Sequence, residues 1–203
     1  MISKQKCLKH LKKEIRILGI DDAPFNKFRD KKVLVIGTVF RGGHYMDALL
    51  SCYINADSDD ATAKLINLVK KTKHLGQLRC IMINGISLGG FNVVDIKKLN
   101  KKTKLPVIVI IRHKPNFTKI LKALEKANKK KALKRFKLME DAGKPVPLLL
   151  KNKKIYFQAA GISTKKAKEI IKMSSTHSSI PEPLRISHII ASGIILGESK
   201  GCA

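Results

Sequence analysis

The chain has 203 residues, with 42 Lys or Arg against 15 Asp or Glu and a formal net charge of +27. A hydrophobic share of 44% can fill a core, which excludes wholesale disorder, and the length suits a single domain over residues 1–203. Cys7, Cys52, Cys80 and Cys202 contain no Cys-x-x-Cys pair, and the apolar runs Val107 to Ile111 and Ile189 to Leu196 fall far short of the ~20 residues that span a bilayer; zinc ribbon, disulfide framework and membrane span are excluded, and a cytoplasmic setting is expected.

In chain order, Ile15 to Asp22 reads as a short apolar strand ending at two carboxylates. Lys32 to Arg41 is a second strand, and the Arg41-Gly42-Gly43 turn leads into a third at about Tyr45 to Asn55, an antiparallel meander. Asp57-Ser58-Asp59-Asp60 stops it. Ala63, Leu65, Ile66, Leu68 and Val69 then trace a helical stripe that ends among Lys70, Lys71, Lys73 and His74, cations suited to a helix C-terminus. Leu78 to Ile83 is the next strand, Val93 to Lys101 a helix, Pro106 to Ile111 an apolar strand, and Phe117 to Asp141 one or two basic helices. Gly143-Lys-Pro-Val-Pro147 breaks the helical pattern, Ile155 to Ala160 is a last strand, and helices cover Ser163 to Met173 and Pro183 to Leu196. The order predicts one α/β domain: a ribonuclease-H-like mixed sheet, three antiparallel strands followed by β-α-β units with parallel neighbours, flanked by helices. In that order the first strand lies beside the fourth.

The excess of positive charge favours a polyanionic partner, because each neutralised phosphate releases condensed counterions. Compositional bias is the rival reading, since only seven of the 42 basic residues are arginine. The charge is concentrated between Lys119 and Lys154, with 13 basic residues against three acidic ones. With Phe117, Ile120, Leu121 and Leu124 facing inward, Lys129, Lys130, Lys131, Lys134 and Arg135 would form either a track for phosphates or a solvated helix face. Aromatic residues are 5% with no Trp, so no base-stacking motif stands out.

Five carboxylates cluster in two segments, Asp21 with Asp22 and Asp57 with Asp59 and Asp60. Grouped carboxylates suit a hard cation such as magnesium or manganese; capping of the Ala61 to Lys71 helix by Asp59 or Asp60, and a turn role for Asp21 and Asp22, are the alternatives. The strand-to-helix segment Ile81 to Asp95 carries Gly85, Gly89 and Gly90, which either admit a ligand or phosphate close to the backbone or simply turn the chain; the spacing is neither a Walker loop nor a dinucleotide fingerprint.

Several motifs occur together and in order over about Glu14 to Cys202: Gly19-Ile-Asp-Asp-Ala-Pro-Phe25, Arg41-Gly-Gly43, Asp57-x-x-Asp60-Ala-Thr62, Asn84-Gly-Ile-x-x-Gly-Gly-Phe-Asn-Val-Val-Asp95, Leu105-Pro-Val-Ile-Val109 and Ile180-Pro-Glu-Pro-Leu-Arg-Ile-Ser-His188. In these the chain resembles the archaeal domain-of-unknown-function-99 family, itself distantly similar to endonuclease V. The resemblance implies a ribonuclease-H-like fold, nucleic acid as partner and magnesium-dependent or manganese-dependent phosphodiester hydrolysis, with a non-catalytic nucleic-acid-binding or adaptor protein as the alternative. Residue by residue it implies Asp21 and Asp60 as metal ligands and catalytic carboxylates, Asn84 as a weaker third ligand where aspartate is usual, and His188 as a catalytic or phosphate-facing group where endonuclease V has aspartate. Arg41 and Gly85 join the basic helical residues as expected nucleic-acid contacts. The tyrosine-bearing wedge loop of endonuclease V has no counterpart between Asp57 and Asp60, and its His-Pro-Arg is replaced by Gly90-Phe91-Asn92, so inosine recognition is not implied. Glu182 and Arg185 are read as a local pair. Sharing one ion requires the Asp21 and Asp60 carboxylates to lie within about 8 Å of each other, because magnesium holds its ligands at ~2.1 Å.

Overall fold

The computed structural model describes residues 14–199. Cys7 and Cys202 lie outside that range; Cys52 and Cys80 are free thiols.

The three expected N-terminal strands are β1 (Arg16–Asp22), β2 (Lys32–Arg41) and β3 (Tyr45–Asn55). They pair antiparallel in the order β1-β2-β3, with Asp21 opposite Ile36 and Arg16 opposite Arg41. Helix α1 (Ala61–Lys71) leads to β4 (Leu78–Asn84), which runs parallel to β1 as the sequence order required. A two-residue ribbon, β5 (Ser87–Leu88) with β6 (Asn92–Val93), precedes α2 (Ile96–Thr103), so the expected helix begins three residues later than its apolar pattern suggested. Asp95 sets that start, because its side chain accepts from Lys98 N at 2.8 Å. Strand β7 (Val107–Ile111) is parallel to β4.

Beyond β7 come α3 (Phe117–Asp141), β8 (Val146–Leu150), β9 (Lys153–Ala160), α4 (Thr164–Ser174) and α5 (Glu182–Leu196). The 25-residue α3 is broken at Asn128, whose backbone is extended and whose side-chain oxygen accepts from Lys131 N at 3.2 Å, starting a second helical run. Strand β8 was missed in the sequence. It forms around Pro147 as the outer strand of a β8–β9 hairpin, an edge position where proline is tolerated. The complete sheet has seven strands in the order β3-β2-β1-β4-β7-β9-β8, with β9 antiparallel to β7.

Strand alternation sorts the core into two layers. Leu18, Ile20, Val33, Val35, Ile81 and Ile83 meet α1 and α2 through Leu65, Val69, Ile96 and Leu99. Ile17, Cys80, Met82, Ile108 and Phe157 meet α4 and α5 through Ile170, Ile171 and Leu184. Gly19 decides how close α5 can come: a Cβ there would collide with the Pro183 carbonyl carbon. The contact is clamped by Thr38 Oγ1, which donates to Pro183 O at 2.7 Å, and Ser187 Oγ, which donates to Gly19 O at 2.9 Å. These bonds fix the helix that carries His188 over the strand that carries Asp21. Among the described residues no helix is long and apolar enough to cross a membrane.

Candidate functional site

The carboxyl ends of β1, β4 and β7 open into a cleft of about 550 Å³ lined by Asp21, Asp22, Ala23, Phe25, Asn84, Arg112 and His188. Strand ends are where an α/β sheet offers side chains to a ligand. Asp21 is the hub. It is 3% exposed; its Oδ2 accepts from Asn84 Nδ2 at 2.9 Å and lies 2.9 Å from His188 Nδ1, while its Oδ1 accepts from Asp22 N at 3.0 Å. Beside it Asp22 accepts from Gly89 N at 2.8 Å. Burial, reinforced by the neighbouring Asp21 charge, pushes the Asp22 carboxyl up from 3.8 to about 6, against the lowering effect of the Gly89 hydrogen bond.

Asp60 joins a different network. Its carboxylate accepts from Asn55 Nδ2 at 2.9 Å and from Asn92 Nδ2 at 2.7 Å, and it is not among the groups lining the Asp21 cleft. Asn92, fully buried, is the organiser here: its Oδ1 accepts from Ala61 N at 3.0 Å and its Nδ2 also donates to Asn55 O at 3.0 Å. Asp60 occupies the N-cap position of α1 without a side-chain cap bond, so the helix start is satisfied by a residue from β6. The rest of the acidic segment disperses as well. Asp57 accepts from Phe91 N at 2.8 Å, and Asp59 pairs with Arg135 at 2.9 Å and Lys131 at 3.1 Å. Neither pooling on one ion nor simple helix capping describes these three residues.

The basic residues divide by exposure. Lys129, Lys130 and Lys134 are exposed on the second run of α3. Lys131 is engaged with Asp59, and Arg135, expected as a phosphate contact, is 2% exposed and spends its guanidinium on Asp59 and the carbonyls of Asp57 and Ser58. Arg41 pairs with Asp47 and lies over Tyr45; its register opposite Arg16 puts it at the far end of β1 from Asp21. Glu182 and Arg185 form the expected pair at 2.7 Å.

Gly85, with φ +83°, borders a second void, an apolar cavity of about 320 Å³ lined by Ile86, Phe91, Ile111, Phe117, Ala123 and Met139 among others. Asn84 and Arg112 line the cleft, whereas their chain neighbours Gly85 and Ile111 line the cavity, so the two voids flank the same strand ends. Asp22 was expected only as part of a carboxylate pair, and Asn92 and Arg112 were not expected at the site. For Asn92 a signal existed, its place in the Phe91 to Asp95 motif, but its partners lie more than 30 residues away along the chain.

Comparison with known proteins places this geometry. The chain is 48% identical over 196 residues to a UPF0215 protein of Methanothermobacter thermautotrophicus, covering 96% of this chain and 95% of the relative. A crystal structure of a protein of unknown function from Archaeoglobus fulgidus superposes with a TM-score of 0.78 at 40% identity, covering 89% of this chain and 98% of the other. Endonuclease V of Ciona intestinalis, in complex with a 24mer DNA containing an inosine followed by a ribo-adenosine, superposes with a TM-score of 0.53 at 14% identity, covering 91% and 90% of the two chains. The fold is therefore ribonuclease-H-like, of the endonuclease V type. The sequence profile of the family described as endonuclease dU matches residues 13–195, and the chain belongs to that family.

Proposed function

We propose that this protein binds nucleic acid and incises it beside deoxyuridine, using the cleft at Asp21 for the backbone and the adjoining apolar cavity for the base. The observation that carries the reading is the adjacency of the two voids across Asn84-Gly85 and Ile111-Arg112. An enzyme that cuts the backbone beside one particular base can read that base by taking it out of the stack into a pocket while the phosphodiester stays among polar groups. A volume of about 320 Å³ lies at the lower end of ligand pockets, ~300–1,000 Å³. The family's name supplies the base, and the exposed lysines of α3 supply sequence-independent attraction to phosphates.

In this reading Asp21 positions and His188 reacts. An ionised Asp21 only accepts, so His188 Nδ1 carries the proton of their 2.9 Å bond and the other ring nitrogen is left as the acceptor for a proton from the attacking water. As water adds at phosphorus and the P–O bond to the leaving sugar oxygen breaks, Arg112 in the same cleft offers positive charge to the phosphate, and the protonated His188 ring returns its proton to the leaving oxygen. The residues present do not form a cage for magnesium or manganese. Among the described residues no three His, Cys, Asp or Glu side chains gather as a metal site, Asn84 turns its NH₂ towards Asp21, and Asp60 is bonded to Asn55 and Asn92. That arrangement favours a second reading, a nucleic-acid-binding protein that keeps the fold without cleaving.

The test is incision of a labelled duplex carrying one deoxyuridine, beside the same duplex with thymidine. The proposal expects a single cut near deoxyuridine, and Ala123→Phe, which fills the cavity, should abolish the discrimination while charge-driven binding persists. Binding without incision by the wild-type protein supports the second reading.

A further inference from the structure

Ten large hydrophobic side chains stand exposed among the described residues, and seven of them come from two places: Tyr45, Met46, Leu49 and Tyr53 on β3, and Ile194, Ile195 and Leu196 in the last turn of α5. The register puts three of the β3 side chains on the sheet face that α5 covers. Met46, Leu49 and Tyr53 lie opposite Phe40, Thr38 and Leu34, on the sheet face that carries α5. Helix α5 packs over β1 and β2, and its Ile190 and Ala191 rest on Leu34 and Ile36, one strand inward from Tyr53 and Ser51. The helix thus leaves the outermost strand uncovered, with Tyr53 57% and Leu49 48% exposed.

The charge of this surface is as unusual as its polarity. In a chain with 42 basic residues, β3 holds no Lys or Arg and neither does the stretch from Ile186 to Gly197. The single charged residue of β3, Asp47, is neutralised by Arg16 and Arg41. Edge strands normally carry lysine, proline or a covering element to prevent pairing with another chain, and the 11-residue β3 relies on none of these beyond one irregularity at Val39/Phe40 of its partner. The nearest cations, Arg16 and Arg41, are held on Asp47 at the Tyr45 end of the strand, and the stretch from Leu49 to Asn55 offers a nucleic acid no Lys or Arg of its own. Two copies of a +27 chain, by contrast, repel everywhere except across a surface of this kind.

We propose that β3 is the interface of a homodimer, pairing antiparallel with β3 of a second copy to join two seven-stranded sheets into one. A two-fold axis normal to the sheet keeps both copies of α5 on the same face, so the Leu49 and Tyr53 side chains of the two copies fill the space between the helices. The area suffices. A strip ~37 Å long, at ~3.4 Å per residue, and ~16 Å wide, one strand spacing plus a helix diameter, gives ~600 Å² per copy and ~1,200 Å² in all, the lower end for a stable interface. Ladder hydrogen bonds along the joined edges add to it. This inference is independent of the function proposed above.

Sedimentation velocity on protein stripped of nucleic acid tests it directly. The expected species has twice the 22.6 kDa chain mass at micromolar concentration. Its association should tighten from ~0.1 to ~1 M salt, because salt screens the repulsion between copies, the opposite of nucleic-acid binding. The double variant Leu49→Lys, Tyr53→Lys should run as a monomer with its thermal midpoint retained, since both side chains are half exposed. For the unaltered protein, hydrogen exchange at β3 should slow as concentration rises. A monomer at every concentration, slow exchange at β3 that is independent of concentration, or a dimer that the double variant leaves intact would each overturn the proposal.

Discussion

Replacing Asp22 by Asn should stabilise the protein, and by an amount that depends on pH. Burial and the Asp21 charge raise the Asp22 carboxyl from 3.8 to about 6 in the folded chain. A carboxyl whose folded value is raised binds its proton more tightly when folded, so above the folded value its ionisation costs stability, and below 3.8 the cost is absent in both states. Two units at about 1.4 kcal/mol each give a cost of about 3 kcal/mol, fully developed above pH 6 and fading between pH 6 and 4. Asn keeps an acceptor for Gly89 N and carries no charge, so Asp22→Asn should recover most of that, a rise of about 6–12 °C in Tm at pH 7.5 for a chain of this length. The assay is thermal and urea unfolding of both proteins from pH 4 to 8, in EDTA so that no adventitious cation offsets the charge. A variant no more stable than wild type at pH 7.5, or one whose gain persists unchanged at pH 4, would show that the buried Asp22 charge costs the fold nothing.

Changing Lys129, Lys130 and Lys134 to Gln should flatten the log–log salt dependence of duplex binding by roughly 0.9 for each phosphate that the variant no longer neutralises, with the fold intact; an unchanged slope moves the binding surface elsewhere. Arg135→Met should cost about 2–3 kcal/mol in urea unfolding, because the carbonyls of Asp57 and Ser58 and the Asp59 carboxylate lose a buried partner; a near-neutral result would show that Lys131 and water replace it. Asn84→Asp places a second carboxylate against Asp21, and calorimetry should detect magnesium or manganese binding that is stronger than in wild type. No increase in that heat signal would remove position 84 from any metal site.

The β1–β2–β3 meander was legible because Lys32 to Arg41 is an apolar run rich in Val and Ile and a Gly-Gly turn closes the second hairpin. Strand β8 was not, since Pro147 argues against a strand unless its edge position is known, and a single chain does not reveal which strand lies at an edge. At the site, the sequence led to Asp21, Asn84 and His188, and the fold brings these three together within hydrogen-bonding distance. At Asp60 a run of acids looks like one ligand set, whereas in the fold Asn92, Phe91 and Arg135 arrive from distant elements and bond separately to Asp60, Asp57 and Asp59. Arg135 shows the limit of charge patterning. It lies one helical turn from Lys131, so both reach Asp59, and that contact turns inward a face that reads as an outward stripe.

The proposed deoxyuridine-directed cleavage is tested most directly by single-turnover incision of an end-labelled duplex containing one deoxyuridine, by wild type and by Asp21→Asn, with binding followed in parallel. Asp21 lies within hydrogen-bonding distance of His188 and adjoins the apolar cavity through Asn84 and Gly85, so the proposed function expects one cut beside deoxyuridine for wild type, none in the thymidine control, and loss of cutting in Asp21→Asn at undiminished affinity. Cutting by Asp21→Asn at the wild-type rate, or no discrimination between deoxyuridine and thymidine by the wild-type protein, would contradict it.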